Sequence, residues 1–241
     1  MMKIEQYPKT LFWLKELLAG MADLAWPDLC LLCERQLMGG EHDICLNCQY
    51  EFPLIKDQSY IECQTADRFL GKIEFVRATS GFRYSKGSKI QTALELLKYK
   101  GEKELGVQLS SFAARHLSER GFFTGMDAIV PVPLHPEKQK RRGYNQSEYI
   151  ARGLSSISGL PVCNNLLYRK THNPSQTTRN LWHRWENAQG LFELKNPEGH
   201  QNQHLLLVDD VLTSGSTLEA CARVLERIPD CRISFFALAL A

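Results

Sequence analysis

Apolar positions along this chain follow helical and strand-like spacings, and the change between them divides it. Leu11, Leu14, Leu18 and Met21 form one stripe, widened by Phe12, Trp13, Leu17 and Leu24. The stripe predicts an amphipathic helix over 9–25, ended by Pro27. Such a helix packs on the rest of the protein, on a partner or on a membrane surface. Residues 53–70 mix polarities like a linker, and Ile73 to Tyr84 alternate like strands with Gly81 inside. Ile90, Ala93, Leu94 and Leu97 predict a helix, and a second covers 103–119.

From residue 127 the pattern becomes α/β. An apolar strand over 128–134 leads into a polar loop, then a helix over 145–156 carrying Tyr149, Ile150 and Leu154. Short strands are expected at 166–168 and 190–194, with a long polar loop at 169–189 between them. A buried strand over 204–208, a helix over 216–227 and a last strand over 233–240 close the chain. Strands alternating with helices imply a mostly parallel sheet covered on both faces. The expected organisation is an N-terminal amphipathic helix at 1–27, a cysteine-rich finger at 28–60 and an α/β domain at 61–241.

Composition narrows the class without changing that picture. With 44% hydrophobic and 23% charged residues, the 241-residue chain has material for a core, which excludes a disordered, collagen-like or mucin-like chain. Net charge is 29 − 27 = +2, so any anion binding must come from local clusters rather than a uniformly basic surface. The apolar run from Leu11 to Met21 is broken by Lys15 and Glu16, and predicts neither a transmembrane segment nor a secretory signal.

The cysteines carry the first chemistry. Cys30 and Cys33 form one C-x-x-C pair and Cys45 and Cys48 another, whereas Cys63, Cys163, Cys221 and Cys231 are scattered. Two intervening residues let one turn present both sulfurs to one ion, and Gly39 and Gly40 allow the chain to reverse between the pairs. The pattern predicts a structural Zn2+ with all four positions filled by Cys30, Cys33, Cys45 and Cys48. So short a segment has too little core to fold alone. Zinc supplies roughly 10–16 kcal/mol in such peptides. A redox pair or free thiols is the competing reading. The scattered cysteines are expected to pack as small buried hydrophobes.

A second constellation follows the strand at 204–208. Asp209 and Asp210 stand at its end, then Thr213, Ser214, Gly215, Ser216 and Thr217 precede a helix. The hydroxyls, a glycine that lets backbone N–H groups approach, and the helix N-terminus together make a monophosphate cradle. The acids would repel phosphate, so their targets are sugar hydroxyls or a metal held through water. The bland reading is a simple helix cap, which leaves the paired acids unexplained.

The stretch from Val208 to Thr217 resembles the phosphoribosyl-pyrophosphate (PRPP) signature of type I phosphoribosyltransferases, at every position. The resemblance implies that Asp209 and Asp210 contact the ribose hydroxyls and orient it in catalysis. Val208, Thr213, Ser214, Gly215, Ser216 and Thr217 would line the 5′-phosphate site, and Mg2+ would bridge pyrophosphate and ribose oxygens.

Upstream, Lys138, Lys140, Arg141 and Arg142 crowd one predicted turn before Gly143, Tyr144, Asn145 and Gln146. Arginine forks suit pyrophosphate or a nucleic-acid backbone; the alternative is a solvated charged turn. Finger, "PVPL…RRGYNQ" and PRPP signature, in this order, resemble the ComF family, as do "LKYKGEKELG" from Leu97 and "TRNLWHRWENAQGLFEL" from Thr178. The resemblance runs from residue 28 to 241. It implies a type I phosphoribosyltransferase-like fold in a cytoplasmic protein of natural transformation, with other competence proteins as partners.

Two functions stay open. In one, PRPP or a related ribose 5-phosphate is bound and a nitrogen acceptor displaces pyrophosphate, with Lys140, Arg141 or Arg142 offsetting the leaving charge. In the other, the scaffold binds single-stranded DNA without catalysis, using Arg169, Lys170, Arg179, Trp182, Arg184 and Trp185. Trp182 and Trp185, three apart, also suit the packing of a short helix.

Overall fold

A computed structural model of the chain describes residues 27–56, 59–170 and 190–241. Contacts divide it into two compact units, Met1–Phe52 and Pro53–Ala241. The expected helix at 9–25 and the tryptophans at 182 and 185 lie outside the described residues.

In the first unit, residues 27–52 hold two turns and one short helix, α1 (Leu46–Tyr50). A bridge between Leu29 and Gln36 closes the first turn, and Gly40 at φ +91 helps reverse the chain toward the second cysteine pair.

The second unit is built on a four-stranded parallel sheet of β1 (Ala78–Arg83), β2 (Ala128–Pro131), β5 (His204–Leu212) and β6 (Arg232–Leu240), in the order β1-β6-β5-β2. The fold class expected from alternating strands and helices is the one observed. All three pairings in this sheet are parallel. Central strands read as continuous apolar runs because both faces are covered: Leu205 to Val208 are fully buried, and so are Phe235 to Ala239. A separate ribbon pairs β3 (Leu167–Arg169) with β4 (Phe192–Leu194) antiparallel.

Helices α2 (Lys89–Glu95), α3 (Glu104–Glu119), α4 (Pro136–Arg142), α5 (Gln146–Ser158) and α6 (Ser216–Leu225) connect the strands. Leu218, Ala222 and Val224 of α6 share one core cluster with Leu205, Leu207, Phe235 and Ala237. α3 and α5 pack so closely that a Cβ on Gly153 would lie 2.3 Å from the Val107 carbonyl oxygen and 2.0 Å from Ser110 Oγ. Cys221 is buried, and Cys63, Cys163 and Cys231 pack part-buried against the same cluster.

Three local readings change. The segment after β2 is not an irregular loop: His135 caps it, Pro136 opens it, and Lys140, Arg141 and Arg142 form the last turn of α4. Cations there oppose the negative end of the helix dipole, which favours helix over loop. β5 runs on to Leu212, so the paired acids lie within its last turns of pleat rather than beyond it. The supposed linker contains a 3-10 turn, Ala66–Arg68, and Leu54 bridges Phe82 of β1.

Candidate functional site

The carboxyl end of β5 gathers the groups the sequence singles out, but it treats the two acids differently. Successive residues of a strand face opposite sides. Asp210 is 7% exposed, and its carboxylate pairs with Lys98 Nζ at 3.0 Å. Lys98 comes from a π-helical turn, Leu96–Lys100, that prolongs α2 and ends at Gly101 with φ +86. Asp209 Oδ1 accepts from Ser147 Oγ at 3.2 Å and from its neighbour's amide at 2.9 Å. Removal from water, with the adjacent Asp210 charge, pushes the Asp209 carboxyl up to about 7.

Asp209 lines a small hollow with Thr213, Ser214, Gly215, Ser216 and Thr217; Asp210 does not. The four hydroxyl residues are exposed. Gly215 is the N-cap of α6 with φ +82, and a Cβ there would lie 3.1 Å from the Phe69 ring and 3.3 Å from Arg68 Cβ. Only glycine meets both conditions. Ser214 Oγ accepts from the Ser216 amide at 3.4 Å, and the N–H groups of Thr217 and Leu218 have no acceptor among the described residues. The hollow therefore offers open N–H donors and hydroxyls on one side and a carboxylate with a raised pKa on the other.

Val208 is buried in the sheet, where its carbonyl accepts from the Val132 amide at 2.9 Å; it fixes the strand rather than facing the hollow. Of the basic cluster, Lys140 and Arg141 are exposed, while Arg142 is part-buried, donates to Gln146 and lies 5.7 Å over the Tyr99 ring. Arg169 sits over Phe192 at 5.4 Å, and Lys170 pairs with Glu193.

Lys98, Asn145 and Ser147 are site residues that sequence reading passed over. Asn145 is buried, caps α5 and donates to the Val132 carbonyl at 3.0 Å, which sets Ser147 beside Asp209. An Asn directly before a periodic helix was the available signal for the cap. Nothing in local sequence announces the long-range partnership of Lys98.

The four paired cysteines also converge. Their sulfurs all lie within 4.8 Å of one another, with Cys30 and Cys48 3.8 Å apart and Cys33 and Cys45 3.7 Å apart. All four are free of disulfides and close enough to share one metal ion. Amides of Cys45 and Cys48 point at the sulfurs of Cys30 and Cys45, each at 3.4 Å. Burial opposes a charge on Cys30, but the surrounding N–H donors outweigh it and bring the thiol to about 6. Glu41 braces the turn by accepting from the amides of Met38 and Leu46, each at 2.7 Å, and from Arg35 at 3.0 Å. Those two amides and the Arg35 charge hold its carboxyl below the usual range. His42 is exposed and stands outside the cluster.

No family model matches the chain. The chain is 34% identical over 116 residues to Competence protein F of Haemophilus influenzae, a match covering 48% of this chain and 51% of that protein. It is 28% identical over 218 residues to DNA utilization protein YhgH of Escherichia coli, covering 85% of this chain and 93% of that one. Competence protein ComFC of Bacillus subtilis is 27% identical over 160 residues, covering 64% and 61%. The chain is similar to proteins named for competence and for DNA utilization, ComFC among them. The match thus spans about half of the Haemophilus ComF relative and nearly all of the Escherichia one. Among solved structures, adenine phosphoribosyltransferase from Saccharomyces cerevisiae is similar at 14% identity with a TM-score of 0.38, covering 61% of this chain and 73% of that one. No helix among the described residues is long and apolar enough to cross a membrane.

Proposed function

We propose that the chain binds PRPP, or a related ribose 5-phosphate, together with Mg2+ at the carboxyl end of β5, and that it serves DNA uptake in the cytoplasm. The observation that carries this reading is the 213–217 loop, whose open N–H groups and hydroxyls share a hollow with Asp209. Loop donors take the 5′-phosphate and Asp209 accepts from a ribose hydroxyl. Asp210, neutralised by Lys98, holds the strand end in place. Lys140 and Arg141 supply positive charge toward a leaving pyrophosphate. Mg2+ would be held mainly by substrate phosphates and water, as its preference for oxygen ligands with retained waters favours, and would offset charge on the leaving pyrophosphate. With a nitrogen acceptor, a bond forms to ribose C1 as the C1–O bond breaks. Pyrophosphate leaves with the electron pair and the nitrogen loses its proton to solvent. The words competence and DNA utilization in the relatives' names support the uptake role.

The cysteine cluster is read as a structural Zn2+ site. Tetrahedral thiolate ligands at about 2.3 Å stand about 3.8 Å from one another. That is the spacing of the two closest sulfur pairs, 3.8 and 3.7 Å.

Calorimetric titration with PRPP and Mg2+ tests the main reading. Asp209→Ala removes a charge-assisted bond and should weaken binding by about tenfold to a hundredfold. Wild type should prefer ribose 5-phosphate over 2-deoxyribose 5-phosphate, and the variant should lose that preference. No binding of PRPP at millimolar concentration would sink the reading.

One observation favours the second reading, single-strand binding. Tyr99 is 70% exposed beside Arg142, and the exposed Lys100 and Lys103 follow it in sequence. A stacking ring amid cations suits single-stranded DNA. Neutralising Lys140, Arg141 and Arg142 together should then flatten the salt dependence of oligonucleotide binding, by about 0.7 in log–log slope per lost phosphate contact.

A further inference from the structure

Residues 65–73 overlap the stretch that reads as a linker, yet they are fastened to two elements of the second unit. At one end Thr65, 1% exposed, shares a hydrogen bond of 2.9 Å with Ser80 of β1. At the other, Arg223 of α6 donates to the Lys72 carbonyl at 2.9 Å while pairing with Glu219 at 2.8 Å. Between these anchors the chain winds tightly. The amides of Phe69 and Leu70 donate to the Ala66 carbonyl, and those of Lys72 and Ile73 to the Phe69 carbonyl. Anchors and turns together fix where Phe69 stands.

Phe69 is where this segment meets the phosphate loop. Its ring is fully buried and lies against that of Phe235 in the central strand β6, with centroids 4.0 Å apart and planes 17° apart. On the loop side, a Cβ on Gly215 would come 3.1 Å from Phe69 Cε1. Of residues 213–217 only Gly215 is buried, while the four hydroxyl residues are exposed. The loop is therefore gripped at Gly215, and Phe69 is the wedge between that grip and the sheet. Phe69 does not line the hollow, so it acts on a ligand only through the loop.

Such a wedge matters for anion binding. Donors that are already aimed hold a phosphate without the cost of ordering them on binding. An exposed loop gains that order from what lies beneath it.

We propose that Phe69, held by the 65–73 turns, is a positioning residue of the phosphate loop and keeps its N–H groups aimed at the 5′-phosphate. The proposal rests on reading the 213–217 loop as a ribose-phosphate cradle. It assigns a binding role to a segment that carries none of the signature residues.

The test uses the full chain and two readings. The first is calorimetric binding of ribose 5-phosphate and of 2-deoxyribose 5-phosphate. The second is hydrogen exchange at the Glu219 amide, which donates to the Gly215 carbonyl at 2.9 Å and so reports whether Gly215 stays in place without any ligand. Phe69→Leu should weaken both sugar phosphates by about tenfold, the loss of roughly one charge-assisted bond. The preference for ribose over 2-deoxyribose should remain, because Asp209 is untouched. Exchange at Glu219 should quicken relative to the amides of β5. Phe69→Met, closer in volume, should give the same pattern in weaker form, and serves where Phe69→Leu does not fold. Ile73→Val, in the same core cluster, should change neither reading. If both Phe69 variants bind the sugar phosphates as wild type does, or leave Glu219 exchange unchanged, the proposal is overturned. It is overturned equally if Ile73→Val reproduces the pattern, since any loss of core packing would then suffice. If wild type binds neither sugar phosphate while Glu219 exchange still answers to Phe69 alone, the cradle reading fails and the hold of Phe69 on the loop stands.

Discussion

Asp209 and Asp210 are neighbours in sequence, yet their surroundings give them separate roles. Asp210 has a fixed cationic partner in Lys98, whereas Asp209 has only a hydroxyl and an amide, and its carboxyl rises to about 7. The pair of acids was legible in the sequence, but their inequality was not, because Lys98 lies more than a hundred residues upstream. The raised value has a definite sign. Between the ordinary 3.8 and about 7, folded chains keep a proton that unfolded chains release, so this group lowers stability as pH rises through that window and changes nothing below it. Asp209→Asn should therefore raise Tm more at pH 8 than at pH 4, as thermal melts at both would show. Ribose hydroxyls donating to the carboxylate favour its charged form. Binding of PRPP with Mg2+ near neutral pH should then release a proton, seen as a heat that varies with buffer ionisation enthalpy, and Asp209→Asn should abolish the release.

Helices and strands were largely readable from spacing, with errors where tertiary contact decides. The expected helices at 103–119, 145–156 and 216–227 appear as α3, α5 and α6, displaced by no more than about the usual fraying of ends. The last turn of the predicted helix around Leu97 widens instead into a π-helical turn, a feature that often accompanies function. Here it keeps Leu97 buried while Lys98 reaches Asp210 and Tyr99 faces water. Glycine in the middle of a helix ordinarily costs stability relative to alanine, so Gly153 reads from sequence as a weakness. The crossing of α3 and α5 explains it: any Cβ would strike the Val107 backbone, which cannot rotate away as a side chain can. Gly153→Ala should destabilise by about 3 kcal/mol or more, at the upper end of overpacking. For a chain of this size that is a Tm loss of roughly 6–12 °C. Denaturant and thermal unfolding both measure it, and a neutral or stabilising result would mean that the helices separate at little cost.

The two compact units owe their stability to different forces, and this sets the response of the chain to metal removal. Among the described residues, the core cluster around β5, β6 and α6 is made of residues from Ile55 onward. In residues 27–52 the fully buried positions are few: Ile44 and Phe52 stand with Cys30, Cys45 and Cys48, while Leu29, Met38, Leu46 and Tyr50 are exposed. That is too little apolar burial to order the segment, so convergent sulfurs and the Glu41 brace must do most of the holding. A strong chelator under reducing conditions should thus release about one Zn2+ per chain and melt the first unit. The parallel sheet should persist, because its strands share a core cluster with helix α6 of the second unit. Limited proteolysis reads the outcome directly: cleavage should appear within 27–52 while a fragment from about residue 53 onward resists. Cys45→Ser should reproduce the pattern without chelator, since a cluster with three sulfurs loses one corner of its tetrahedron. PRPP binding should survive in both cases, as every group assigned to it lies in the second unit. Metal-free protein that keeps its first unit resistant to protease would show that the cysteines do not hold it together. A single transition that takes the sheet with it would show that the sheet depends on the metal-bound unit.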